Sequence, residues 1–120
     1  MEKKSVSELQ LPQRFETKII KDLEYLRAYD NLEIEEIILF GSCARGTYKI
    51  TSDIDILLIT KESISRQVRG DIASELDEER DGVRTDVVFY SRAIFEESNT
   101  LLTKQIKQDG IILYSTIEDN

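Results

Sequence analysis

An α/β fold, with helices packed on one small sheet, is predicted by three features of this 120-residue sequence. Short apolar runs alternate with amphipathic segments along the chain. No internal repeat or low-complexity tract interrupts them, and a hydrophobic share of 40% suffices for one compact core. The length fits one domain and leaves little room for a second. The expected element order is α-β-α-β-α-β-α-β.

Residues 1–12 read as a flexible N-terminus, polar with scattered Leu. Pro12 then stands where a helix can begin. Phe15, Ile19, Ile20, Leu23, Leu26 and Tyr29 recur at helical spacing, with Lys18, Lys21, Asp22 and Arg27 between them. That spacing predicts a helix over 13–29, ended near Asp30-Asn31. Ile37 to Phe40 is a continuous apolar run stopping at Gly41, the pattern of a strand covered on both faces. The polar stretch 41–52 predicts a turn, a short helix and a loop. Ile54 to Ile59 is a second buried strand. Ile64, Val68, Ile72 and Leu76 recur every four residues among charges, predicting an amphipathic helix over 65–80, and Asp81-Gly82 marks a turn. Val83 to Tyr90 is a third strand, rich in Val and aromatics. A helical turn near 93–95 and a helix over 99–108 follow, with Gly110 as its C-terminal cap. Ile111 to Tyr114 forms a last short strand, and 115–120 reads as a tail.

Composition narrows the chemistry. Sixteen basic residues against twenty-four acidic ones give a net charge of -8. Gripping a long nucleic acid takes many Lys and Arg to displace counterions, so a polynucleotide partner is not expected. An acidic surface suits a metal-bound small ligand, or a basic protein partner drawn in by electrostatic steering. The chain has no histidine, and Cys43 is its only cysteine. These absences exclude an internal disulfide, Ser-His-Asp and Cys-His catalysis, and the usual zinc sites. No run approaches the ~20 apolar residues of a membrane span, and residues 1–10 hold no signal-peptide core. The expected location is the cytoplasm.

Three features carry chemistry. Gly41-Ser42 falls where a buried strand gives way to a turn. Gly lets the backbone approach a ligand, and Ser offers a hydroxyl and an N–H to phosphate oxygens; an ordinary turn with a Ser cap is the alternative. Asp53-Ile54-Asp55 opens the second strand, and strand alternation puts both carboxylates on one face. Two such charges roughly 4 Å apart repel by about 4 kcal/mol at an effective dielectric of about 20, which favours a bound cation unless water relaxes them. Mg²⁺ matches a hard oxygen donor set. Asp86 is a lone carboxylate within the apolar strand 83–90, sharing a face with Val88 and Tyr90. It either joins the Asp pair or pairs with Arg84 or Arg92. Three converging carboxylates can hold two divalent cations, the arrangement that serves in-line phosphoryl displacement.

Taken together, Gly41-Ser42, ten residues, Asp53-x-Asp55 and a strand-borne Asp86 resemble the signature of the DNA polymerase β-type nucleotidyltransferase superfamily. Leu39 to Gly46 and Ser52 to Leu57, with Ile106 to Tyr114, are similar to its minimal nucleotidyltransferase (MNT) branch. The resemblance covers residues 13–114. It implies the nucleotidyltransferase fold, a small mixed sheet flanked by helices. It also implies metal-binding roles for Asp53 and Asp55, a metal or base role for Asp86, and triphosphate binding by Gly41 and Ser42. Arg45 is then a phosphate-facing cation or a partner in a surface salt bridge. Ser52 is a phosphate contact or a turn residue. Cys43 departs from the branch, which often has Arg there.

The implied reaction is attack of an acceptor hydroxyl on the α-phosphorus of ATP, with pyrophosphate leaving and Mg²⁺, two ions, as cofactor. Minimal domains of this kind are often paired with HEPN ribonuclease toxins and act as antitoxins that adenylylate a toxin tyrosine, so a HEPN-type protein is the expected partner. The alternatives are an antitoxin that neutralises by contact alone, or a transferase for a small acceptor such as an aminoglycoside. The latter is disfavoured because little chain remains for a substrate domain.

Overall fold

The computed structural model describes residues 1–117. Strand β1 (Glu2–Lys3) and a 3-10 turn (Ser7–Leu9) lead to helix α1 (Gln13–Ala28). Strand β2 (Ile34–Phe40) runs directly into the short helix α2 (Gly41–Arg45), and strand β3 (Ile54–Thr60) follows after a loop. Helix α3 (Arg66–Asp77), strand β4 (Thr85–Ser91), helices α4 (Arg92–Glu97) and α5 (Leu101–Asp109), and strand β5 (Ile111–Ser115) complete the described chain. The sheet is mixed, in the order β1-β5-β2-β3-β4. Strand β2 pairs antiparallel with β3 and β5, whereas β3–β4 and β1–β5 are parallel.

Alternation along the central strands sorts their side chains onto two faces. On one face Ile37, Leu39, Ile54, Ile56 and Leu58 pack against Phe15, Ile19 and Leu26 of α1 and Ile72 and Leu76 of α3. On the other, Ile38, Leu57 and Ile59 meet Phe95 of α4 and Ile106 of α5. Three helices start on hydroxyl caps: Ser65 accepts from Val68 N at 3.2 Å, Ser91 from Ile94 N at 3.4 Å and Thr100 from Thr103 N at 3.2 Å.

Several expectations are corrected. Residues 1–11, expected to be loose, lie against the domain. Glu2 and Lys3 pair with Ile111 and Ile112, Glu8 accepts from Ser5 N and Oγ, and Leu11 is buried. The helix expected over 65–80 ends at Asp77, because Arg80 and Val83 bridge each other around a turn with positive φ at Asp81 and Gly82. Gly110 does cap α5 as expected, with φ -64. A glycine suits that position because a Cβ would come within 2.9 Å of Ile38 Cγ2. The expected tail 115–120 begins inside β5 at Ser115, and residues 118–120 lie outside the described residues. Among the described residues no helix is long and apolar enough to cross a membrane.

Lys18 and Asp22, expected between the apolar positions of the first helix, are instead buried in its packed face. Lys18 Nζ donates to Asp22 Oδ1 (2.7 Å), Leu76 O (2.8 Å) and Thr85 Oγ1 (3.0 Å), and the Thr85 hydroxyl donates to Asp22 Oδ2. Burial pushes the Asp22 carboxyl upward, against the bonds from Lys18 and Thr85 that hold it down. Because all three ammonium protons and both carboxylate oxygens are engaged, the pair can stay charged in the interior.

Candidate active site

The strand ladder determines where the acidic residues stand. Phe40, the last residue of β2, is opposite Asp55 on β3, and Asp55 is opposite Asp86 on β4. Asp55 shares the parity of Leu57 and Ile59, and Asp86 that of Val88 and Tyr90, so both face the α4–α5 side of the sheet. Neighbouring strands lie about 4.8 Å apart, so this in-register pair sets two like charges side by side, partly screened by water at the exposed Asp86. Asp53, just before β3, has the same parity and is half-buried.

The electrostatics register this crowding. The Asp55 carboxyl is raised from its ordinary 3.8 to about 6 by burial, then by the Asp86 and Asp53 charges, with Arg45 pulling the other way. Among the described residues none of the three carboxylates has an ion-pair partner. Arg92, one of the partners considered for Asp86, bonds Glu35 Oε1 at 2.8 Å and Glu36 Oε1 on β2 instead. The donor set is therefore all-oxygen, concentrated in negative charge and bonded to no protein cation among the described residues, which fits a hard divalent ion. A closed metal cage is not preformed: among the described residues no three acidic or cysteine side chains converge on one metal position. Asp86 is exposed at the outer strand of the sheet, where repulsion from Asp55 and access to water favour an open arrangement.

Gly41 starts α2 beside Asp55. Its φ is +74, and a Cβ there would collide with the Asp55 carboxylate, 3.1 Å from Cγ. The glycine thus lets the backbone abut the acidic residue, which adds a reason for Gly to the expected approach of a ligand. Ser42 is half-buried in the first turn of α2, and its carbonyl accepts from Thr47 N at 3.0 Å. Arg45 is exposed, without an ion-pair partner among the described residues, and close enough to pull on the Asp55 carboxyl. Ser52 does not stand free, because its Oγ accepts from Lys49 N at 2.7 Å and closes the loop before β3. Cys43 is buried with its Sγ donating to Asp53 O at 3.8 Å, tying α2 to the acidic segment. Burial, then Asp55 and Asp53, push its thiol up to about 11, so it is an unreactive packing group.

Sequence reasoning missed the buried Lys18–Asp22–Thr85 network, which lies behind β4 on the face opposite Asp86. A signal was present, since Phe15, Lys18, Ile19, Asp22 and Leu26 follow one helical stripe.

A strand-to-helix Gly-Ser turn beside carboxylates on two neighbouring strands is an arrangement that can bring a phosphate and a divalent cation together. Residues 17–119 match the family described as Polymerase beta, Nucleotidyltransferase, and the chain belongs to that family. It is 31% identical over 106 residues to the protein adenylyltransferase MntA of Shewanella oneidensis, covering 88% of this chain and 68% of that protein. A crystal structure of a toxin–antitoxin complex with AMP-PNP is similar at TM-score 0.58 and 29% identity, over 83% of this chain and 73% of that one. Another, of an MntA–HepT toxin–antitoxin complex, gives TM-score 0.53 and 27% identity over 88% and 74% of the two chains.

Proposed function

We propose that this protein is a Mg²⁺-dependent adenylyltransferase that moves AMP from ATP to a hydroxyl, a tyrosine, of a HEPN-type toxin and so acts as its antitoxin. The observation that carries this reading is the in-register Asp55–Asp86 pair, on one face with Asp53 and beside the Gly41-Ser42 turn. The family supplies the reaction class, and its resemblance to the MntA adenylyltransferase suggests a protein acceptor.

In this reading Asp53, Asp55 and Asp86 hold the metal, Gly41 and Ser42 receive the triphosphate, and Arg45 adds positive charge at its rim. Ser52 joins them only if its bond to Lys49 N opens. Bound Mg²⁺ supplies neutralisation of phosphate charge and orientation of the reacting oxygens. The acceptor oxygen gives up its proton and bonds to the α-phosphorus, while the bond from that phosphorus to the β-bridging oxygen breaks and pyrophosphate leaves. In this reading Asp86 takes that proton, and its exposure to solvent, where an acceptor can approach, supports the assignment. No covalent enzyme intermediate is needed.

Intact-mass measurement of a HEPN-type toxin after incubation with this protein, ATP and Mg²⁺ tests the reading. One or more AMP additions are expected, lost in the Asp53→Asn, Asp55→Asn double variant. An unmodified toxin neutralised equally by both proteins would replace transfer with contact-only inhibition.

A further inference from the structure

Among the described residues strand β4 is an outer strand, with β3 as its one sheet neighbour, and it begins where like charges meet. Asp55 and Asp86 oppose each other on one face, so their repulsion acts to separate the first residues of β4 from β3. The ladder resists this through Ile54 N donating to Arg84 O at 2.9 Å. On the opposite face stands Thr85, the residue immediately before Asp86, fully buried and held from two sides. Its hydroxyl accepts from Lys18 Nζ and donates to Asp22 Oδ2, both on α1, and the same ammonium reaches Leu76 O at the end of α3. A buried ion pair carries a desolvation cost, and an apolar trio of similar volume would fill this space at least as stably. The position of the pair, back to back with Asp86, gives it a use that stability alone does not.

We propose that Lys18, Asp22 and Thr85 are positioning residues for Asp86. By anchoring the start of β4 to α1 and α3, they keep that carboxylate in register with Asp55 before a cation arrives. This rests on the reading of Asp86 as a metal-site carboxylate. The Thr85 hydroxyl meets Lys18 and Asp22 on the face opposite Asp86, so their effect reaches the site through the β4 backbone.

The test uses the full chain with Mn²⁺ and ATP as probe, reading Mn²⁺ affinity by electron paramagnetic resonance and amide hydrogen exchange over residues 85–88. Thr85→Val removes the hydroxyl at nearly constant shape. It is expected to weaken Mn²⁺ binding about tenfold, the size seen when groups supporting a metal ligand are lost, and to speed exchange at the start of β4. Thr85→Ser should restore both. A triple variant, Lys18→Met with Asp22→Leu and Thr85→Val, keeps the core filled and folded, and should show the same weakened Mn²⁺ binding despite recovered thermal stability. Ile37→Val, which loosens the core on β2, serves as the control and should leave Mn²⁺ affinity unchanged. Wild-type affinity in Thr85→Val or the triple variant, or an equal loss in Ile37→Val, overturns the positioning role alone. Failure of the wild-type protein to bind Mn²⁺ with ATP overturns the functional reading itself, and the positioning role with it.

Discussion

Asp55→Asn should make the metal-free protein more stable at neutral pH. The substitution keeps size and hydrogen-bonding capacity and removes the charge that burial, Asp86 and Asp53 disfavour. A carboxyl raised from 3.8 to about 6 corresponds to about 3 kcal/mol at full value, since each unit is about 1.4 kcal/mol. Asp55 is only half-buried, and solvent screening reduces the expected gain to roughly 1–2 kcal/mol. For a chain of this size that is a rise of about 4–8 °C in melting temperature. The sign in pH follows from the direction of the shift. The folded state holds the Asp55 proton more tightly than the unfolded chain does. Wild-type stability from this group is therefore greatest below its unfolded value, falls as pH rises through about 6, and is flat above. Melting curves of both proteins in EDTA should differ at about pH 7.5 and converge only below the unfolded value of 3.8, where Asp55 is protonated in either state. An Asn variant less stable than wild type at neutral pH, or a gap that ignores pH, would refute the electrostatic account of this site.

Calorimetry should show ATP binding with Mg²⁺ and a large loss of affinity in EDTA, because triphosphate and three carboxylates repel without an intervening cation; equal affinity in both would count against the metal assignment. Gly41→Ala should cost about 2 kcal/mol or more in urea unfolding, since the position combines a φ of +74 with a collision against Asp55. A neutral result there would mean that α2 can shift away from β3. Lys18→Met should destabilise by about 3–5 kcal/mol, because it strands the buried Asp22 charge. Adding Asp22→Leu should recover most of the loss, and a single variant of unchanged stability would contradict the buried pair.

The placement of the acidic residues was legible because it depends on strand parity, and parity survives small errors in strand ends. Asp53 and Asp55 share a face whether the strand starts at one or the next, and Asp86 stays in phase with Val88 and Tyr90. The ladder that puts Asp55 opposite Asp86 was not legible, because register comes from non-local pairing. Nor was the pairing of Arg92 with Glu35 and Glu36, which joins residues distant in sequence. The phase of α1 was misread when Ile20 was counted with the core. It is 39% exposed, while Lys18 and Asp22 occupy the buried stripe because partners on β4 and α3 satisfy them. Charge implies exposure only when no such partners exist. Residues 1–11 looked loose for a related reason, since their order comes from the edge of β5 and a Ser5–Glu8 turn rather than from hydrophobic periodicity.

Adenylyl transfer moves the α-phosphoryl group of ATP, with its nucleoside, to a protein hydroxyl. Parallel incubations of the protein, Mg²⁺ and a HEPN-type toxin with ATP labelled at the α- or the γ-phosphate test it directly. The toxin should acquire the α-label on tyrosine, while the γ-label leaves entirely as pyrophosphate. A γ-labelled toxin, or a neutralised toxin carrying neither label, would contradict the account.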